Sequence, residues 1–269
     1  MLASLPAAVG MFAPPAVVIP PAVATRDAHT ALLQANIPNT SNEEAFSYIY
    51  NKHVWGHFGH GSGKGSELGG SMGAAHILFH VVLLLNITSM VDAPCGGMLW
   101  QKRLLPRIKQ NMTELRYLGV DVVRSVIDKN KATFLQWPYV TFLQQDLAQK
   151  DLPQGYDLIF SRDALPHVRL SDVWRILRRF AASDATWILL GSYPCRSLDK
   201  NASSMAICQN VNKEISPGGY RPIDLSVAPF DLPAPYRVYD EGWIHGKHLY
   251  LYKRSDLANA LMKRIVYSW

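Results

Sequence analysis

Four carboxylates recur at one place in the pattern of this chain, each at or just past the end of a short apolar run: Asp92, Asp121, Asp146 and Asp163. A carboxylate offers only acceptors, and its charge-assisted hydrogen bonds are stronger than neutral ones, so such acids suit ligand hydroxyls or amines. The first stands in Asp92-Ala93-Pro94-Cys95-Gly96-Gly97-Met98, where glycine lets the backbone approach a ligand closely. The second follows 29 residues later. Asp146 is followed by the apolar Leu147, and Asp163 lies in Ser161-Arg162-Asp163-Ala164-Leu165-Pro166-His167. Histidine titrates near neutrality, so His167 can take a proton from a hydroxyl or a protonated amine. Asp163, four residues before it, can share a helical face and orient its ring. Arg162 could hold an anionic group or pair with Asp163. The plain alternative is a set of solvated acids and a capping histidine. Four acids closing successive apolar runs weigh against chance solvated acids, while a capping or core histidine stays open for His167.

What places them is an alternation of strands and helices. Short buried strands are expected over 87–92, 115–121, 140–145, 156–161 and 186–191, and helices over 100–110, 122–131 and 171–182. In the last helix Val173, Trp174, Ile176, Leu177 and Phe180 make one apolar stripe. Two further strands, 236–239 and 249–252, have no clear helix between them and read as an antiparallel hairpin. Repeated βα units give an open parallel sheet, whose ligands bind beyond the carboxyl ends of the strands near the switch point. The four acids belong to that edge.

Upstream, Ser41-Asn42-Glu43-Glu44 is a capping-type start to a helix through Tyr48, Ile49 and His53. A loop follows in which seven of the fifteen residues from Gly56 to Gly70 are glycine. It is not a Walker loop, since Phe58 stands where the first glycine belongs and Gly65 where Ser or Thr must follow Lys64. A lid over the ligand is expected, against the plainer reading of a surface loop. The run 77–87 is too short for a bilayer and should be a buried helix. Residues 1–42 read as a flexible Pro/Ala-rich tail, with a weak targeting segment as the alternative; Pro6, Pro14, Pro15, Pro20 and Pro21 interrupt any stretch long enough to span a membrane.

The chain has 269 residues, 48% hydrophobic and 18% charged, which excludes disorder, collagen and coiled coil. Its net charge of +6 is scattered, so nucleic acid is not an expected partner. Cys95, Cys195 and Cys208 form no CxxC pair; reduced thiols, a cytoplasmic setting and no metal are expected. The Asn-x-Ser/Thr triplets at Asn39, Asn86, Asn111 and Asn201 are discounted as chance matches. No oligomeric state can be read.

With its acids and glycine turn, the chain resembles Rossmann-like, class I S-adenosylmethionine-dependent methyltransferases. It is similar, more narrowly, to a bacterial-type subgroup with an Asp-x-Pro-Cys-Gly-Asp turn and a following tryptophan, matched here by Asp92 to Gly96 and Trp100. The subgroup's Tyr-Ile-Tyr, Trp-Gly and Ser-Gly-x-Gly-Ser are matched at Tyr48–Tyr50, Trp55-Gly56 and Ser62–Ser66. Its Arg-Asp-x-Leu-x-His falls on Arg162 to His167, its Arg-Pro-x-x-Leu on Arg221 to Leu225, and its Pro-Phe-x-x-Pro on Pro229 to Pro233. The resemblance spans 43–254. Pro94 and Met98 replace two glycines of the superfamily turn, and Gly97 stands where the subgroup carries an acid.

The resemblance implies a mostly parallel seven-stranded sheet over 87–254 with a C-terminal antiparallel hairpin, an N-terminal helical cap over 43–86 and a helical tail over 255–269. It implies S-adenosylmethionine as cofactor, held by Asp92, Ala93, Pro94, Cys95, Gly96, Asp121, Asp146, Leu147 and Arg162. Asp121 would meet the ribose hydroxyls and Asp146 the adenine amine, with His167 and Asp163 catalytic. Trp100 is an apolar neighbour or a core residue. Methyl transfer to O or N of a small molecule or glycan is expected, since the Asn-Pro-Pro-Tyr-type tetrad of base amine methylation is absent. A non-catalytic binding protein on this scaffold remains an alternative. An NAD-dependent oxidoreductase is a weaker one, because Gly-x-Gly-x-x-Gly is missing.

Overall fold

The computed structural model describes residues 40–195, 209–242 and 246–266. The tail expected over 1–42, except for its last three residues, lies outside them, as do Asn39, Asn201 and Cys208. The described chain opens with α1 (Asn42–Asn51), whose capping box is complete: the Ser41 hydroxyl accepts from the Glu44 amide at 3.3 Å, and the Glu44 carboxylate accepts from the Ser41 amide at 3.0 Å. Single 3-10 turns at Phe58–Gly61 and Lys64–Ser66 lead into α2 (Leu68–Leu84).

That helix begins nine residues before the expected one and takes in Gly69 and Gly70. The cause is tertiary. A Cβ on Gly73 would lie 1.9 Å from the carbonyl oxygen of Glu241, so glycine serves backbone approach there rather than a loop.

The core follows as β1 (Ser89–Asp92), α3 (Gln101–Asn111), β2 (Arg116–Asp121), α4 (Arg124–Thr133), β3 (Val140–Gln144), β4 (Leu158–Ser161), α5 (Leu170–Ala182), β5 (Trp187–Ser192), β6 (Arg237–Asp240), β7 (His248–Lys253) and α6 (Arg254–Val266). The seven strands form one sheet in the order β3-β2-β1-β4-β5-β7-β6. The first five are mutually parallel, while β7 runs antiparallel to both β5 and β6.

Alternation along the strands fills two cores. Val91, Leu118, Ile159, Ile188, Leu190, Tyr250 and Tyr252 join Val173, Ile176, Leu177 and Phe180 of α5 and Leu257 and Leu261 of α6. Met90, Tyr117, Leu158, Phe160, Leu189, Leu249 and Leu251 join Leu78 and Val81 of α2 and Leu104, Leu105 and Ile108 of α3. A sheet covered on both faces presents its chemistry only at its strand ends. Between β1 and β4 the chain order reverses, opening the switch-point crevice; there the Ala93 amide still donates to the Phe160 carbonyl at 2.9 Å.

Cys95 is free and buried, but Cys195 is disulfide-bonded, which corrects the expectation of reduced thiols throughout. Cysteine spacing does not show which loops the fold brings together. The argument for a reducing compartment thereby loses one premise. Among the described residues no helix is long and apolar enough to cross a membrane, and no group of three or more His, Cys, Asp or Glu could hold a metal.

Candidate active site

Asp92 ends β1 and is buried, with Oδ2 accepting from the Tyr117 hydroxyl at 2.5 Å and from Gln101 Nε2 at 3.0 Å. Burial raises its pKa to about 7 against the opposing effect of those bonds. Gln101 Nε2 also donates to the Cys95 carbonyl at 2.9 Å, so Oδ2 of this carboxylate braces the turn. In the turn, Ala93 and Cys95 are buried, while Pro94 and Gly96 are partly open. The Ala93-Pro94 peptide is cis. Gly96 has φ +57°, and Met98 also adopts a left-handed φ of +57° although it carries a side chain. Met98 thus holds a backbone conformation that glycine adopts more readily, with Sδ 3.1 Å from the Tyr117 hydroxyl.

Asp121 closes β2 opposite this turn. Its Oδ2 accepts from the Gly96 amide at 3.1 Å and its Oδ1 from the Val123 amide at 3.0 Å. Burial raises its pKa to about 6, partly offset by those amides. Each oxygen keeps a further lone pair, so the carboxylate can receive two adjacent hydroxyls. Asn130 holds the turn from behind, donating to the Gly96 carbonyl at 2.8 Å.

Asp146 accepts from the Ala148 amide at 2.8 Å and from Asn42 Nδ2 at 3.2 and 3.3 Å, which ties the start of α1 to the end of β3. Leu147 is buried in the first core. Trp100 is core as well, edge-on to Phe160 at 6.0 Å.

Beyond β4 the residues expected to be catalytic separate. Asp163 has a left-handed φ of +61° and His167 lies in a 3-10 turn (Leu165–His167), so they share no helical face. The His167 ring is held by the Gly219 carbonyl, 2.7 Å from Nδ1, and not by Asp163. A carbonyl only accepts, so Nδ1 carries the proton and Nε2 is left as the basic nitrogen. Burial lowers the pKa of His167, opposed by the Gly219 bond and by Asp163. Trp55 lies over the imidazole at 4.8 Å and Tyr220 at 5.5 Å.

Asp163 instead accepts from the Tyr193 hydroxyl at 3.0 Å, pairs with Lys247, and sits 3.3 Å from Arg162. Burial would raise its pKa, but the Lys247 and Arg162 charges hold it well below the usual carboxylate range. Arg162 is fully committed to protein: Nε and Nη2 bind Glu241 at 2.9–3.2 Å, Nη1 the Gly65 carbonyl at 3.1 Å, and Nη2 the Gly70 carbonyl at 3.1 Å. It ties β4 to the glycine-rich segment instead of presenting itself to a cofactor.

That segment is docked on the turn. The Gly97 amide donates to Ser62 Oγ at 2.9 Å, the Ser62 and Tyr50 hydroxyls are 2.7 Å apart, and His60 Nδ1 meets the Gly97 carbonyl at 2.9 Å. A Cβ on Gly96 would fall 2.7 Å from Ser62 Oγ. Sequence reasoning missed Lys247, Tyr193, Glu241 and Ser62 as site members. One signal for Lys247 existed: β7 is antiparallel, so its start lies at the edge where the parallel strands end, as the pairing of His248 with Ser192 shows.

No protein-family profile matches the chain, and no curated protein is significantly similar to it. Among solved structures, human N-acetylserotonin methyltransferase in complex with SAM superposes with a TM-score of 0.55 at 13% identity, covering 84% of this chain and 65% of its own. Mitomycin 7-O-methyltransferase MmcR gives 0.56 at 16% identity, covering 80% and 61%. PigF with SAH gives 0.55 at 14% identity, covering 82% and 64%. The chain spans under two thirds of the length of each of these three. At such identities the likeness is one of architecture, and the chain has the Rossmann-like fold of class I S-adenosylmethionine-dependent methyltransferases.

Proposed function

We propose that the protein transfers a methyl group from S-adenosylmethionine to an oxygen or nitrogen of a small-molecule or glycan acceptor. The observation that carries this reading is the buried Asp121 carboxylate, braced by the Gly96 and Val123 amides, with acceptor capacity to spare beside the β1 turn. A carboxylate with a raised pKa gains from hydroxyl donors, and a ribose diol supplies two. The residues present therefore fit the cofactor. Asp121 would hold the ribose, Gly96 would let the backbone approach, and Pro94 would line the open side of the turn. Asp92, Ala93, Cys95, Asp146, Leu147 and Arg162 would act from behind by fixing the turn and the cap.

When bound, the cofactor supplies a methyl already activated on a sulfonium sulfur, so the protein has mainly to orient and exclude water. Tyr50 and Ser62 cover the turn for that purpose, and Trp55 packs against His167. His167 Nε2 takes the acceptor's proton as the new bond to oxygen or nitrogen forms. Asp163, pinned by Lys247, Tyr193 and Arg162, keeps a negative charge near the emerging imidazolium.

Calorimetry with S-adenosylhomocysteine tests the reading. Asp121→Asn should weaken binding by about 1–3 kcal/mol, the cost of losing charge-assisted hydrogen bonds. Wild-type affinity should also fall as pH drops through about 6, because the protonated Asp121 accepts more weakly. Unchanged affinity in Asp121→Asn would remove the ribose assignment.

A further inference from the structure

Arg221 is 1% exposed, and its Nε, Nη1 and Nη2 have no hydrogen-bond partner among the described residues. Arg162, the other buried arginine of this region, has all three nitrogens engaged. A buried guanidinium without a counter-group is strongly disfavoured, and its planar fork of donors matches a carboxylate or phosphate. The nearest acid by its effect, Glu214, is turned elsewhere: its oxygens accept from the Leu170 and Ile215 amides.

The segment carrying Arg221 is laced onto the turn that carries His167. The Arg221 amide donates to the Pro166 carbonyl at 3.0 Å, the Gly218 amide to the His167 carbonyl at 2.8 Å, and the Gly219 carbonyl receives His167 Nδ1. The neighbouring Tyr220 is 40% exposed, with its ring 5.5 Å from His167 and 6.4 Å from Tyr193.

We propose that Arg221 anchors an anionic oxygen group, a carboxylate or a phosphate, on the methyl acceptor, which reaches it past Tyr220. The inference rests on the methyl-transfer reading and narrows its acceptor to anionic molecules. The anion would complete the guanidinium while the nucleophilic hydroxyl or amine meets His167 Nε2. A neutral acceptor would leave the buried charge unpaired, so the site discriminates against it.

The test uses the full chain loaded with S-adenosylhomocysteine, with benzoate, inorganic phosphate and the neutral benzamide as probes. Calorimetry and thermal shift are read on wild type, Arg221→Met and Arg221→Lys. Wild type should bind benzoate or phosphate, and which of them it prefers tells carboxylate from phosphate; benzamide should bind at least about tenfold more weakly. Arg221→Met should lose the anion response by at least about tenfold while its unliganded Tm stays at or above wild type, since an unpaired buried charge has gone. Arg221→Lys keeps the charge but not the fork, and should weaken benzoate binding even if the Met variant fails to fold. Equal anion responses in wild type and the variants would overturn the proposal, as would wild type that binds S-adenosylhomocysteine but neither anion. Loss of S-adenosylhomocysteine affinity in Arg221→Lys would also overturn it, because Arg221 would then hold the cofactor's own carboxylate. Wild type that binds no S-adenosylhomocysteine would overturn the methyl-transfer reading and this inference with it.

Discussion

His167 and Asp163 stand four residues apart, yet their surroundings set them to opposite tasks. Burial lowers the pKa of the imidazole, and a Lys–Arg pair holds the carboxylate ionised. His167 is therefore neutral at pH 7 with Nε2 available, and its activity should be lost on the acid side only. Turnover should fall as pH drops through its pKa, which lies below the ordinary histidine value. Once an acceptor is identified, single-turnover rates of His167→Gln should be about 10²–10⁴-fold below wild type without that acidic limb, and S-adenosylhomocysteine affinity should not change. Near-normal rates with the limb intact would make His167 structural. The motif Arg162 to His167 was legible from residue types and spacing. The partner of the ring was not, because Gly219 reaches it through a backbone carbonyl, a group every residue possesses.

At the scale of elements, the cap is held on the sheet by residues of its glycine-rich segment. Gly61 has φ +94°, and a Cβ there would meet the Tyr50 ring at 2.9 Å, so a side chain would be strained and crowded at once. Ser62 then joins the cap to the sheet through the Gly97 amide and the Tyr50 hydroxyl. Ser62→Ala should loosen that junction and leave the cores alone. Amide exchange over 56–66 should quicken about five- to tenfold, consistent with one or two lost hydrogen bonds, while the central strands exchange as in wild type. In the intact protein, S-adenosylhomocysteine should slow exchange over the same residues. Exchange in wild type that is indifferent to the ligand would reduce the segment to a surface loop. The count of glycines pointed to this region but misjudged its end, because Gly73 and its neighbours belong to a helix packed against the backbone at Glu241.

For the molecule as a whole, Arg162 is the joint between β4, the cap and the segment before β7. It binds Glu241, Gly65 and Gly70, and Glu241 and Lys247 are themselves buried. Among the described residues, Arg162→Met should leave the Glu241 carboxylate with Lys247 alone, 3.8 Å away, and cost about 3 kcal/mol, or a fall in Tm of roughly 6–12 °C. S-adenosylhomocysteine should bind more weakly to this variant as the cap loses its anchor. A Tm within about 2 °C of wild type would show that the cluster does not couple the three parts.

The sequence by itself determined the strands and helices and their order, along with the acids that fall at the strand ends. Those follow from side-chain period and from turn residues, which are local properties. The tertiary structure decided which protein groups each of the acids meets. Asp92 is claimed by Tyr117 and Gln101, Asp146 by Asn42, and Asp163 by Lys247, a residue 84 positions away. Such partners are chosen by the closing of the sheet and its connections, and no local period records them. The same closing left Arg221 buried on the segment laced to the His167 turn, with no hydrogen-bond partner for its guanidinium among the described residues, although in the sequence it is one arginine among many.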